Sequence, residues 1–388
     1  MTPLYLILLP FCISLLLVLW IHPRLVKIAL MKEIVDCPDA RKLQRRPVPV
    51  LGGVAVFFGI VCGMGVVGTL EGTSGLFSVI VAMMIMLYTG TMDDILDLSP
   101  SLRFLIEICA VLLLFFVGGY RIDDFHGLWG LGVVPFAVAL PLTLFAAVGI
   151  INAINLIDGV NGLSSGYGIL SSLIFGVLFY SVGDTKMALL AAVTCGSLIP
   201  FFLHNVFGRY SKMFIGDGGT LVLGVVLSVY VTATLRHDSV AALYVAPNIG
   251  LIPFTLAVLA VPVFDTLRVM STRIRKGRSP FSPDKTHLHH MFIELGCSHA
   301  MVTLAILLLN ASVVVVWGTA ALLGASIAVQ LYLVVALGLV ITFGLYQFAE
   351  WHLRRRTRFL RTLRRIGYAL HISRTRGFLR LQHWIDRL

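Results

Sequence analysis

The chain has 388 residues, of which 58% are hydrophobic and only 13% are charged, and its mean hydropathy is +0.94. This composition excludes a soluble globular domain and predicts an all-α, polytopic integral membrane protein. The net charge of +11 does not indicate nucleic-acid binding, because the basic residues fall in membrane-proximal loops and a tail, where they favour anionic lipid headgroups and phosphate-bearing substrates.

About eleven apolar segments of the length needed to cross a bilayer follow one another along the chain. The first lacks a basic n-region and a cleavage site, so it predicts an uncleaved membrane helix rather than a signal peptide. The six cysteines form no CxxC pair, which predicts neither disulfides nor a zinc site. The predicted spans are residues 3–21, 48–68, 76–92, 103–119, 132–150, 164–182, 187–206, 218–235, 247–270, 301–323 and 325–349.

The loops on one side of these spans contain 27 of the 30 Lys and Arg residues, and those on the other side contain three. The positive-inside rule predicts that the first side is cytoplasmic, with the N-terminus outside and the C-terminus inside a multi-pass protein of the inner (plasma) membrane. We expect residues 1–350 to form the membrane domain and residues 351–388 to form a basic amphipathic tail on the inner leaflet.

Two polar segments on the basic side flank the second and third spans. Residues 36–53 are rich in Lys and Arg and end in a Gly pair after Pro49, which indicates a closely packed helix start. Asp93, Asp94 and Asp97 follow the third span and lie close enough to repel one another unless a cation is present. Mg²⁺ would account for the three carboxylates, and a solvated helix end is the alternative.

Two further polar segments contain glycine. The stretch 152–163 places Asn, Asn, Asp and Asn at intervals of three residues, along one side of a helix or around a cap and loop. The stretch 216–219 places Asp217 between glycines at a helix start, where free N–H groups attract anions and metal-bound groups. A polar turn and an Asp N-cap are the simpler interpretations of these two stretches.

The loop 273–290 is the richest of the polar segments. Its Arg and Lys residues can clamp phosphate, and His287, His289 and His290 can bind a transition metal or, when protonated, phosphate. The absence of cysteines and of a matching acidic partner in this motif favours phosphate contacts over zinc. A positive-inside loop with incidental histidines is the alternative.

In this order, the five segments resemble the polyprenyl-phosphate N-acetylhexosamine-1-phosphate transferases. That membrane family includes the phospho-MurNAc-pentapeptide translocase and the GlcNAc-1-phosphate transferases that start O-antigen, teichoic acid and dolichol-linked glycans. The resemblance covers the chain up to about residue 350 and rests on Pro-x-x-Gly-Gly, Asp-Asp-x-x-Asp, Asn-x-x-Asn-x-x-Asp-Gly-x-Asn-Gly-Leu, Gly-Asp-Gly-Gly and His-x-His-His. Gln44 is a departure, because the family often has His there.

The resemblance implies roles for individual residues. Mg²⁺, or Mn²⁺, is expected on Asp217 and Asn155, and Asn161 is expected in the uracil pocket. Asp93 and Asp94 are expected near the lipid phosphate. The expected catalytic residues are Asp93, Asp94, Asp97, Asp158 and His289. The expected substrate-binding residues are Lys42, Asn155, Asn161, Arg275, Arg278, His287 and His290.

The implied activity is a phosphotransferase reaction. The phosphate of undecaprenyl phosphate attacks the β-phosphate of a UDP-N-acetylhexosamine, UMP leaves, and a diphosphate-linked lipid that initiates cell-envelope polysaccharide is formed. Such a reaction requires two anions to be held in line and neutralised, at the boundary between membrane and cytosol. The oligomeric state stays open, a homodimer being one state compatible with the sequence.

Three alternatives remain at this point. A transporter would use polar residues as a pathway, but here the acids of the motifs fall at span ends, and Asp265, near the cytoplasmic end of the ninth span, is the exception. An intramembrane prenyltransferase would explain the Asp-rich motif alone. Within the family, the loop 275–290 resembles the GlcNAc-1-phosphate branch rather than the muramyl-peptide branch, which has no His at the position of His287.

Overall fold

The computed structural model describes residues 4–36, 47–66, 75–280, 286–355, 357, 358, 361, 362, 364 and 375–387. Within these residues the regular structure is almost entirely helical, which confirms the predicted all-α class. The helices are α1 (Tyr5–Met31), α2 (Gly52–Gly65), α3 (Gly75–Leu96), α4 (Pro100–Phe116), α5 (Phe136–Leu156), α6 (Leu163–Val182), α7 (Thr185–Phe207), α8 (Gly216–Thr234), α9 (Val240–Tyr244), α10 (Leu251–Val258), α11 (Ala260–Arg275), α12 (Leu288–Glu294), α13 (His299–Leu322), α14 (Ile327–Leu339), α15 (Leu345–Arg355) and α16 (Arg376–Ile385).

Four short elements accompany the helices. A 3₁₀ turn spans Leu128–Gly130, and a π-helical turn at Val340–Gly344 joins α14 to α15. The two-residue strands β1 (Val35–Asp36) and β2 (Val48–Pro49) pair antiparallel, a feature that the sequence did not predict.

About eleven spans are predicted, and eight or nine helical segments of the described residues are long enough by themselves to cross a bilayer. Within the described residues, eight helical segments are long and apolar enough to cross a bilayer, and a ninth results if α10 and α11 form one span. Every predicted segment coincides with a helix, but α2 has 14 residues and α4 has 17, fewer than the ~20 that a bilayer requires. The chain is a polytopic membrane protein with eight or nine candidate spans.

The predicted span 247–270 is broken by a bend of 73° between α10 and α11. Asn310 of α13 satisfies the backbone groups that the break frees. Its Oδ1 accepts from the N–H of Val261 at 3.0 Å, and its Nδ2 donates to the carbonyl of Val258 at 2.9 Å. The break is therefore tolerated because a neighbouring helix replaces the lost helical hydrogen bonds.

Helix α8 lies at the centre of the bundle and packs against α2, α3 and α5. Its first turn is fixed by close backbone contact, because a Cβ atom on Gly53 of α2 would overlap Gly219 and one on Gly90 of α3 would overlap Gly218. The N–H of Gly53 also donates to the carbonyl of Ile215 at 2.8 Å. The ends of α2, α3 and α8 therefore meet at one position, which only glycine allows.

The tail is more than a surface helix. In α16, Phe378 packs on Phe207 of α7 with ring centroids 5.1 Å apart, and Ile385 is fully buried. Several tail residues on which the amphipathic prediction rests lie outside the described part of the chain, namely Arg356, Phe359, Leu360, Leu363, Arg365, Ile366 and Leu370.

Candidate active site

A cavity of about 710 Å³ opens where α3, α8 and the loop between α5 and α6 come together at one end of the bundle. This is within the usual volume range of small-molecule sites. Six aspartates line it, against one lysine and two histidines. The charged and titratable lining residues are Asp36, Asp93, Asp94, Asp97, Asp158, Asp217, Lys212, His290 and His299.

Asp217 and Asn155, the predicted metal ligands, are in direct contact although 62 residues separate them. The Nδ2 of Asn155 donates to Asp217 Oδ1 and to Thr220 Oγ1, each at 2.8 Å. Asn155 is in the last turn of α5 and Asp217 in the first turn of α8, so the packing of these two helices brings the pair together. The amide is oriented with its oxygen directed away from the carboxylate.

Asp94 caps the start of α8 from a different helix. Its two carboxylate oxygens accept from the backbone N–H of Asp217 at 3.2 and 3.0 Å. A negative charge there satisfies an N–H that has no intrahelical partner and interacts favourably with the helix dipole. Asp217 itself is thus not the N-cap that the simpler interpretation suggested. Asp94 lines the cavity and at the same time orients the residue expected to bind metal.

Arg103 is the main counter-charge of the acidic cluster, and no sequence motif indicated it. Its Nη1 lies 3.0 Å from Asp93 Oδ2 and 3.5 Å from Asp217 Oδ2, and its Nη2 donates to Asn155 Oδ1 at 2.6 Å. It is the fourth residue of α4, the helix that follows the loop containing Asp97. A lone basic residue at the start of an apolar span, next to an acidic motif, was the available signal.

Glu107 forms a buried ion pair with Arg103 and fixes the orientation of its guanidinium. It is fully buried, its Oε1 accepts from Arg103 Nε at 3.2 Å, and its Oε2 accepts from Nδ2 of Asn152. A buried carboxylate is stable only when paired and hydrogen-bonded, and both conditions are met. Asn152, the first amide of the Asn-rich stretch, therefore supports this pair rather than facing the cavity.

The loop between α5 and α6 contributes the predicted Asp158 and Asn161, which both line the cavity. The Oδ1 of Asp158 accepts from Ser164 Oγ at 2.7 Å, and the N–H of Asn161 donates to His299 Nδ1 at 3.3 Å. His299, at the start of α13, also lines the cavity, although no motif indicated it.

The three histidines at the start of α12 are placed differently from one another. His290, which is predicted to bind substrate, lines the cavity. His287 is buried, and its Nδ1 lies 3.1 Å from Asp265 Oδ2, in a cluster with Arg268. His289 is also buried, with Nε2 against Gly159, and burial with the neighbouring His290 and His287 lowers its pKa to about 3. His287 and His289 are both buried, so they are placed to position the start of α12.

The predicted basic residues do not line the cavity in the described part of the chain. Arg275 and Arg278 are exposed at and beyond the end of α11. Lys42 and Gln44 lie outside the described residues. Lys212 takes their place as the lining cation, and burial lowers its pKa to about 8.

The residues present fit a hard divalent cation. Six carboxylates around one cavity are poorly neutralised by one lysine and Arg103. No group of three His, Cys, Asp or Glu side chains forms a ready metal cage among the described residues. Mg²⁺ commonly takes one or two protein carboxylates and completes its shell with water and substrate phosphate, so an incomplete protein cage suits it.

Comparison with known proteins agrees with this chemistry. Residues 76–235 match glycosyl transferase family 4. The chain is 33% identical over 308 residues to the probable undecaprenyl-phosphate N-acetylglucosaminyl 1-phosphate transferase of Bacillus subtilis (strain 168), covering 77% of this chain and 81% of that protein. It is 29% identical over 297 residues to the undecaprenyl-phosphate alpha-N-acetylglucosaminyl 1-phosphate transferase of Escherichia coli (strain K12), covering 73% and 76% of the two chains.

We predict that Arg103→Met destabilises the protein by about 3 kcal/mol, because Glu107, Asp93 and Asp217 lose their shared counter-charge. The measurement is the unfolding midpoint in detergent. Glu107→Gln with Arg103→Met should recover part of the loss, because it removes the buried uncompensated charge. An Arg103→Met midpoint equal to that of the wild type would show that Arg103 is not the counter-charge.

Proposed function

Because the chain belongs to glycosyl transferase family 4, a family of membrane-embedded sugar-phosphate transferases, we propose a specific transfer reaction for it. The group transferred is N-acetylglucosamine 1-phosphate, the donor is UDP-N-acetylglucosamine and the acceptor is undecaprenyl phosphate. The observation that carries the proposal is the acidic cavity at the ends of the membrane helices, where Asp217, Asn155 and Asp94 are linked directly. A lipid acceptor and a soluble donor can meet only at such a boundary. The relatives' names support the choice of substrates.

In the proposed reaction, an oxygen of the lipid phosphate forms a bond to the β-phosphorus of the donor. The bond from that phosphorus to the bridging oxygen breaks, and UMP leaves with that oxygen. A phosphate monoester has a second pKa near 6, so the acceptor is largely dianionic near neutral pH and needs little help from a base. The residues have mainly to position and neutralise anions.

Asp217 and Asn155 are proposed to hold Mg²⁺, or Mn²⁺, which when bound supplies the positive charge that lets two phosphates approach each other. Asp94 holds the N–H of Asp217 and so fixes the direction of its carboxylate. Arg103 forms ion pairs with both Asp93 and Asp217 and so neutralises part of the negative charge of the cluster. Asp97, Asp158, Asn161 and His290 line the same cavity and are proposed to contact the substrates.

The geometry does not favour either alternative from another protein class, the transporter or the prenyltransferase. A transport pathway needs polar groups through the middle of the bundle, but the acidic cluster lies at helix ends and Asp265 is paired with Arg268 at 2.7 Å. A prenyltransferase would release diphosphate and would have no use for Asn155 beside Asp217.

We predict UMP release from UDP-N-acetylglucosamine, or another UDP-N-acetylhexosamine, in the presence of undecaprenyl phosphate and Mg²⁺. UDP-MurNAc-pentapeptide should be a poor donor. The assay compares purified enzyme across a panel of UDP-sugars, with omission of undecaprenyl phosphate as the control. Release of UMP from the muramyl-peptide donor alone would assign the chain to the other branch, and release of diphosphate would contradict the reaction class.

We predict that kcat/KM falls as pH rises through about 8, because Lys212 is cationic below its lowered pKa and neutral above it. Lys212→Arg should remove this alkaline decline, because Arg stays charged. Lys212→Met should lower kcat/KM roughly tenfold at pH 7, a typical effect of one charged hydrogen bond. Lys186→Met, at the other end of the bundle, is the matched control. An unchanged alkaline decline in Lys212→Arg would remove Lys212 from the site.

We propose that the basic end of the bundle, which contains the cavity, faces the cytoplasm, with the N-terminus outside and the tail inside. Residues 351–388 are proposed to be a cytoplasmic extension of the membrane domain. A reporter fused to the C-terminus should be active only as a cytoplasmic fusion, and the same reporter on the N-terminus only as an external one. Activity of the C-terminal fusion on the outer side would reverse the orientation.

A further inference from the structure

The last described turn of the chain contacts a loop that leads into the cavity. The carboxylate of Asp386, directly after α16, accepts from three consecutive backbone N–H groups, those of Arg209 at 3.0 Å, Tyr210 at 3.1 Å and Ser211 at 3.2 Å. The Ser211 hydroxyl donates to the same carboxylate at 2.9 Å. Consecutive N–H groups of this kind form a concave site for an anion.

This placement is unfavourable for α16 by itself. Asp386 is the C-cap of α16, where the helix dipole disfavours a negative charge. Burial also disfavours the ionised carboxylate, but the donated hydrogen bonds outweigh burial and lower the pKa of Asp386 below its ordinary value. The ionised carboxylate is therefore stabilised by its contact with the loop 208–215 and not by its own helix.

All three polar groups of Ser211, the N–H, the carbonyl and the hydroxyl, form hydrogen bonds. Its carbonyl accepts from His22 Nε2 at 2.8 Å, and its hydroxyl lies 2.9 Å from His204 Nδ1. Since the hydroxyl donates to Asp386, it accepts from His204, which places that histidine's proton on Nδ1. Helices α1, α7 and α16 thus meet at one residue.

The loop continues from Ser211 directly to the cavity. Lys212, Phe214 and Ile215 line it, and Asp217 follows. Farther along, the loop is fixed by Asn205, whose Nδ2 donates to the carbonyl of Met213 at 2.7 Å, and by β2, where the N–H of Phe214 donates to Pro49 at 2.7 Å. Before Lys212, the loop is fixed by the hydrogen bonds of Ser211 to His22, His204 and Asp386.

We propose that Asp386 is a positioning residue, through which the C-terminal helix α16 holds the loop 208–215 and thereby sets the place of Lys212 in the cavity. This inference rests on the proposed function for its kinetic consequence only. The tail's exposed face, with Arg376, Arg380 and Trp384, stays free to meet the membrane surface.

The test uses the full-length enzyme reconstituted with lipid. Asp386→Ala should lower kcat for UMP release about tenfold, since small displacements of a positioned group cost one to two orders of magnitude, with a smaller change in the KM of the donor. Amide hydrogen exchange at residues 209–215 should become faster. Asp386→Asn should lie between, because the amide oxygen still accepts from the three N–H groups. Ser211→Ala combined with Asp386→Ala should be less than additive.

His383→Ala, on the exposed face of the same helix, is the matched control and should equal the wild type. If Asp386 only fastens the tail, Asp386→Ala will match His383→Ala in kcat, and this would overturn the inference. Unchanged exchange at residues 209–215 in Asp386→Ala would overturn it as well, whether or not UMP is released. A wild-type enzyme that releases no UMP, but whose loop exchanges faster in Asp386→Ala, would contradict the proposed function and support the positioning contact.

Discussion

Repulsion between carboxylates at the meeting point of α3 and α8 is the constraint on which the site depends. Asp93, Asp94 and Asp217 come together because glycine backbones let the helices approach, and such a cluster is unstable without compensation. Two compensations are present in the structure. The backbone N–H of Asp217, in the first turn of α8, donates a hydrogen bond to Asp94, and the guanidinium of Arg103 forms ion pairs with Asp93 and Asp217.

The same constraint explains why an acidic cavity suits anionic substrates. One lysine and two histidines cannot neutralise both the six lining aspartates and two incoming phosphates. A divalent cation changes the balance, since it is attracted by the carboxylates and attracts the phosphates. Arg103 is already bonded to the oxygen of Asn155 that would face a cation, so its guanidinium would have to share that oxygen or move when the cation binds.

Sequence motifs predicted the lining of the cavity well where chemistry is concentrated in short segments. Asp93, Asp94, Asp97, Asp158, Asn161, Asp217 and His290 all line it, although their roles remain predictions. What the motifs could not show are contacts between single residues of different helices, such as Arg103 with Asn155, 52 positions apart, or Asn161 with His299, 138 apart. Apolarity predicted where the helices lie, but the helix lengths and the break at Leu259 depend on contacts with neighbours such as Asn310.

We propose that Asp217 binds the divalent cation required for transfer, and UMP release measured as a function of Mg²⁺ concentration tests this directly. We expect a chelator to abolish wild-type activity and Mg²⁺ to restore it, and we expect Asp217→Asn to be inactive at every concentration because an amide is a weaker ligand than a carboxylate. Asp238→Asn, exposed at the opposite end of the bundle, should behave like the wild type. A folded Asp217→Asn protein with near-normal turnover and an unchanged Mg²⁺ dependence would contradict it.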